Sequence, residues 1–117
     1  MLEKEKTVTI TAKEAPYAPE EQLGEYTVRR WSWYEKQVCM TRATTIIDAS
    51  KGLTNTPMPL FNTHMLIMCL KESPLNLPDD PNEAVEVMKA LDVDVGDTLF
   101  RIAQSINMVT PEEKEDF

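Results

Sequence analysis

The hydrophobic pattern along this chain changes period three times, and each change predicts a new kind of element. Residues 7–11 read Thr-Val-Thr-Ile-Thr. They alternate and are β-branched throughout, which predicts a short strand. A polar connector with Pro16, Pro19, Glu20, Glu21 and Gly24 follows. Glu25 to Arg30 then alternates again, with Tyr26 and Val28 on one face, and is a second strand candidate. The two strands can pair as a hairpin. A two-stranded ribbon is marginal alone, so the pattern requires a helix for it to lie on.

The period then lengthens to that of a helix. Ser32-Trp33-Tyr34-Glu35 is a capping box, and Trp31 stands where it can staple onto the first turn. Trp33, Gln37, Met40 and Thr44 fall on one stripe, and Tyr34, Val38, Thr41 and Thr45 on the next. This helix is expected to run to about Asp48, with only moderate propensity because of its threonines. Ser50 to Asn62 reads as a loop. Leu60 to Lys71 is apolar nearly all round, which predicts a helix central in the core or covered by a partner. Pro74 and Pro78 end it. Asp80-Pro81-Asn82-Glu83 is a further helix start, with Ala84, Val87, Met88 and Leu91 as the apolar face. Asp92 to Gly96 is expected to break that helix. Residues 97–108 form another, with Leu99, Ile102, Ala103 and Ile106 inward and Phe100 beside them. Thr110-Pro111-Glu112-Glu113 is one more capping sequence.

The expected fold is mostly α in an α+β arrangement: about four helices and an N-terminal hairpin or short strands. Residues 1–24 form the N-terminal strand and polar connector. Residues 25–117 form a helical domain that makes one folding unit with that strand. At 117 residues the chain is one domain's worth. Three glycines and eight prolines fit helices punctuated by proline better than a turn-rich sandwich.

Charge narrows the choice of partners. The net is −8. Residues 1–50 carry seven basic and eight acidic side chains, and residues 51–117 carry five and twelve. Such a chain is repelled by phosphate backbones and anionic lipid, so neither nucleic acid nor membrane is an expected partner. The longest apolar run, Met65 to Leu70, is too short to span a bilayer. Charged residues from Glu3 to Lys6 with no apolar signal core behind them give an intracellular expectation.

Catalytic signals are weak. His64 is the one histidine and sits in an apolar helix, which favours a structural role. Cys39 and Cys69 lack CxxC spacing and read as buried, reduced thiols. Asp92-Val93-Asp94-Val95-Gly96-Asp97 suggests a calcium loop, but counted from Asp92 glycine falls fifth and Ala103 twelfth, where an EF-hand needs glycine sixth and glutamate twelfth. The better reading is a loop whose Asp94 or Asp97 caps the following helix. No metal, cofactor or enzymatic activity is expected. The one basic cluster is Arg29, Arg30, Lys36 and Arg42, and it stands among Trp31, Trp33 and Tyr34. Trp, Tyr and Arg dominate protein-binding hot spots. Arg29, Arg30, Trp31, Trp33 and Tyr34 are therefore the candidate partner-binding residues. The alternative is a tryptophan core with arginines in local salt bridges. Three aromatics in four residues cannot all face one stripe, so at least one ring should be exposed.

The order of these pieces resembles a family. Val28-Arg29-Arg30-Trp31-Ser32-Trp33-Tyr34-Glu35 opens a helix through a glutamate. Val95-Gly96-Asp97-Thr98-Leu99-Phe100, then Ile106-Asn107, then the Thr-Pro-Glu-Glu-Lys tail close the chain. Over about residues 25–50 and 91–117 this is similar to the tail assembly chaperones of long-tailed phages and prophage relatives. The resemblance implies a non-enzymatic protein that coats the tape-measure protein before the tail tube polymerises around it. It implies the tape-measure and tail-tube proteins as partners, action in the host cytoplasm, and absence from the mature particle. Self-association is left open. The alternative is a structural tail or baseplate component.

Overall fold

The computed structural model describes residues 4–107. It is an α+β fold of four helices with short antiparallel strands. Strands β1 (Glu5–Ile10) and β2 (Gly24–Arg29) form the expected antiparallel hairpin, with Val8 opposite Tyr26 and Lys6 opposite Val28. Helix α1 (Trp33–Ala43) follows. A small ribbon comes next, made of β3 (Thr45–Asp48) and β4 (Leu53–Asn55). Helix α2 (Met58–Cys69) leads straight into β5 (Leu70–Glu72), and α3 (Pro81–Met88) and α4 (Val93–Asn107) complete the described chain. The main sheet has the order β1-β2-β5; the ribbon is a separate sheet.

The predicted support for the hairpin is present. Tyr26 and Val28 are fully buried, and α2 and α4 both contact β2. The core gathers Ile10, Tyr26, Val28, Met65, Cys69, Leu99 and Ala103. On α4 the buried positions are Val95, Leu99, Ala103 and Ile106, a single stripe at helical spacing. Ile102, expected inward, is only half-buried, as is Phe100 beside the stripe, and Val95 takes the fourth buried place. On α2, Phe61, His64, Met65, Leu66 and Cys69 are buried, so this helix is central as its all-round apolar sequence requires.

The polar connector is tied down by one side chain. Gln22 is buried; its Nε2 donates to the Ala90 carbonyl (2.9 Å) and its Oε1 accepts from the Asp92 N–H (2.8 Å). The Tyr26 hydroxyl donates to the Gln22 carbonyl at 2.5 Å, and burial pushes the Tyr26 pKa up to about 12. Buried polar groups satisfied in this way hold a loop to the core without leaving a cost behind.

Four sequence expectations are corrected. Helix α1 stops at Ala43 rather than near Asp48. The next four residues, Thr44-Thr45-Ile46-Ile47, are all β-branched, and they turn into β3. The Ser50–Asn62 loop contains β4 and the first turn of α2, and Gly52 makes the turn between β3 and β4 at φ 66°, a left-handed conformation that suits glycine. The end of the apolar run, Leu70–Glu72, is an edge strand on β2 instead of helix. Finally, Asp92–Gly96 does not separate two helices as a loop: α4 already begins at Val93, and Asp92 rather than Asp94 or Asp97 caps it, accepting from the Asp94 N–H at 3.0 Å. The Asp80 cap of α3 is as expected. The Thr110-Pro111 capping sequence lies outside the described residues.

Leu99→Ala should cost about 2–5 kcal/mol, because Leu99 is fully enclosed between α4, α2 and the sheet. Leu53→Ala on the exposed ribbon should cost under about 0.5 kcal/mol. Urea unfolding of the two variants checks both values.

Candidate protein-binding site

The site is organised by the turn that joins β2 to α1. Ser32 Oγ accepts from the Glu35 N–H (3.1 Å), and Glu35 Oε1 accepts from the Ser32 N–H (2.8 Å), so the capping box is complete. Arg29, the last residue of β2, closes on the same carboxylate with both guanidinium nitrogens, at 3.0 and 2.6 Å. A two-pronged arginine–carboxylate pair is among the stronger polar contacts and fixes orientation as well as distance. It holds Glu35 down to about 2, with the Ser32 backbone adding to the effect, and it raises the Arg29 pKa in turn.

The neighbouring residues lock this turn to the far end of the chain. Arg30 Nη1 donates to the Ile106 carbonyl (2.7 Å), and the Trp31 N–H donates to Asn107 Oδ1 (2.9 Å). Asn107 Nδ2 in turn donates to the Ala103 carbonyl (3.0 Å). The Trp31 ring is buried and stacks on Phe61 of α2, with centroids 5.9 Å apart and planes at 17°. Trp31, just ahead of α1, thus fastens the start of that helix to α2.

The five candidate residues therefore separate. Arg29 is committed to Glu35, and Trp31 belongs to the core. Arg30 keeps an exposed side chain while holding Ile106. Trp33 is 76% exposed and Tyr34 70% exposed. The expectation of at least one exposed ring is met twice.

The reason lies in which stripe of α1 turns inward. It is neither of the two stripes that carry large residues. The buried positions are Cys39 and Ala43, in line with half-buried Glu35. Small side chains at i and i+4 let α1 approach α2 closely, and Cys39 Sγ donates to the His64 carbonyl at 3.4 Å. Gln37 and Val38 are half-buried, and Trp33, Tyr34, Lys36, Met40, Thr41 and Arg42 are exposed. Tyr34, Gln37, Val38, Thr41 and Arg42 line one groove of about 380 Å³; Gln37, Met40, Thr41, Thr44 and Ile46 line the next, of about 430 Å³. The two share Gln37 and Thr41, so they run together along the helix. At the start of α1, Arg30, Trp31, Ser32, Trp33, Lys36 and Asn107 surround a third hollow of about 310 Å³. Gln37, Met40 and Thr41 were not among the candidate residues. Their spacing from Trp33 and Tyr34 was the available signal.

This face is also the basic part of an acidic protein. Arg30, Lys36 and Arg42 are exposed, and among the described residues none of them makes an ion pair. The arrangement can anchor an apolar ridge with its aromatic rings and pair flanking acids with its cations.

The two thiols and the imidazole are enclosed. Cys39 and Cys69 are free and buried, and burial pushes their thiols up to about 11 and about 12. His64 is buried, and burial together with the Arg42 charge lowers its pKa. Among the described residues no group of three or more His, Cys, Asp or Glu side chains is placed to hold a metal ion, and no helix is long and apolar enough to cross a membrane.

Comparison with protein-family models, with curated proteins and with solved structures gives no match to this chain.

The depressed Glu35 pKa sets an acid-stability window. The carboxylate is favoured in the fold, so its contribution is complete above the ordinary value of 4.5 and is lost as pH falls from there through about 2. Glu35→Gln should lower the melting temperature at neutral pH, and the gap to wild type should close across that window. Thermal melts at a series of pH values check it; a gap independent of pH contradicts it.

Proposed function

We propose that this chain is a non-enzymatic, protein-binding chaperone of the tail-assembly type, which shields a tape-measure protein, with the tail-tube protein as a second partner, during tail assembly. The observation that carries the binding role is the outer face of α1: two fully presented aromatic rings, Trp33 and Tyr34, with Arg30, Lys36 and Arg42 around them. Isolated exposed apolar residues are ordinary, but adjacent Trp and Tyr flanked by unpaired cations on one rigid helix are hot-spot chemistry.

The family assignment is supported by the resemblance over residues 25–50 and 91–117. The two parts of that resemblance meet in space. Arg30 and Trp31 from the first are hydrogen-bonded to Ile106 and Asn107 of the second, 76 residues away. Residues that share a pattern in sequence thus share a task in the fold, which is to fix the start of α1.

A long helical chain with apolar stripes and acidic flanks is the partner this face fits, through the helix-in-groove mode of recognition. Weak contacts repeated along one such chain give avidity without tight single sites.

The test is co-expression of a tape-measure protein with wild type and with a Trp33→Ala/Tyr34→Ala variant. Both rings are solvent-exposed, so the variant should fold and melt as wild type does. Its affinity for the tape-measure protein should fall by about 30-fold or more, the equivalent of one hot spot of about 2 kcal/mol. Unchanged capture by the folded variant removes the α1 face as the binding site.

A further inference from the structure

The basic face of α1 begins where α4 ends. Asn107, the last residue of α4, lines the hollow at the start of α1 together with Arg30, Trp33 and Lys36. The Arg30 guanidinium and the Trp31 N–H hold Ile106 and Asn107 in that place. The chain beyond residue 107 therefore leaves the fold beside these cations. Residues 108–117 read Met-Val-Thr-Pro-Glu-Glu-Lys-Glu-Asp-Phe, with four acids and one lysine.

The charges on α1 suit that segment. The one acid of the helix, Glu35, is paired with Arg29. Lys36 and Arg42 are its exposed charges, with Arg30 just ahead of it. The last turns of α4 add no acid: beyond Asp97 the charged residue of that helix is Arg101. Other exposed surfaces would repel an acidic segment. The polar connector carries Glu20 and Glu21, and α3 carries Glu83 and Glu86 behind Asp79 and Asp80.

The reach is sufficient. Lys36 and Arg42 are separated by about 9 Å along the helix, at ~1.5 Å per residue. Extended chain covers roughly 3.3 Å per residue, so Glu112 can lie up to about 17 Å from Asn107 and Asp116 up to about 30 Å.

We infer that residues 112–116 dock on the outer face of α1, with their carboxylates against Lys36 and Arg42, so that the chain carries its own occupant for this face. Exposed ion pairs are individually weak. The covalent tether offsets that weakness, because a short linker holds the segment at an effective concentration on the order of millimolar. The contact is short-lived and sensitive to salt. A partner that also brings apolar surface to Trp33 and Tyr34 displaces it. Displacement by a tape-measure protein rests on the function proposed above; the contact itself does not.

The test is paramagnetic relaxation enhancement in the full chain, with no partner present. Lys114→Cys carries a nitroxide label and leaves all four acids in place; Cys39 and Cys69 are buried and should stay unlabelled. The backbone amides of Lys36 and Arg42 should broaden. The effect should be the same from about 50 to 500 µM, because the tether sets the local concentration. Adding Glu112→Gln/Glu113→Gln/Glu115→Gln/Asp116→Asn keeps the tether and removes the charge. This should cut the enhancement at Arg42 about twofold or more, as should ~0.5 M salt, which screens exposed charges beyond a few Å. Lys36→Glu/Arg42→Glu should cut it likewise. In that background Glu112→Lys/Glu113→Lys/Glu115→Lys/Asp116→Lys should restore it. Enhancement unchanged by neutralising the segment reports tether proximity alone and overturns the inference. So does enhancement that grows with protein concentration, or its absence at Arg42.

Discussion

The fork between Arg29 and Glu35 is the contact on which the rest of this structure turns. It joins the last residue of β2 to the first turn of α1, and the same carboxylate completes the helix cap at Ser32. With that direction fixed, Trp31 enters the core against Phe61, and Trp33 and Tyr34, the first two residues of α1, stand exposed. The aromatic face is thus a geometric consequence of a buried tryptophan and a capped helix start. Ile106 and Asn107 repeat the constraint from the other side, by tying the end of α4 to Arg30 and Trp31.

The packing of α1 explains why the exposed side is large and the buried side small. Cys39 and Ala43 allow close approach to α2, and a larger residue at either place would push the helices apart. The core volume comes instead from α2, α4 and the sheet. An α1 that contributes little bulk to the core can present Trp33, Tyr34 and Met40 outward without weakening the fold. The cost falls on solubility, and the surrounding Arg30, Lys36 and Arg42 offset it.

Much of this was legible in the sequence. The Ser32 capping box, the hairpin, the central α2 and three of the four buried positions of α4 follow from spacing alone, because each signal is local. The misreadings arose where local and tertiary signals compete. Large apolar residues at helical spacing look like a core stripe, and nothing local says that Cys39 and Ala43 face inward instead. Thr44 to Ile47 continue the helical pattern well enough, yet their β-branched side chains prefer the extended ribbon. Leu70–Glu72 is too short to show alternation, and it becomes a strand only because β2 has an open edge beside it. Of the candidate site, Arg30, Trp33 and Tyr34 were legible as surface chemistry. Arg29 and Trp31 could not be separated from them without knowing which partners the fold brings near.

The most direct test of the proposed binding face on α1 is site-specific photo-crosslinking in the presence of a tape-measure protein. A benzophenone amino acid replaces Trp33 in one variant and Arg101, exposed on α4, in another. The account predicts a covalent adduct with the tape-measure protein from position 33 and none from position 101. An adduct from position 101 with none from position 33 would contradict it.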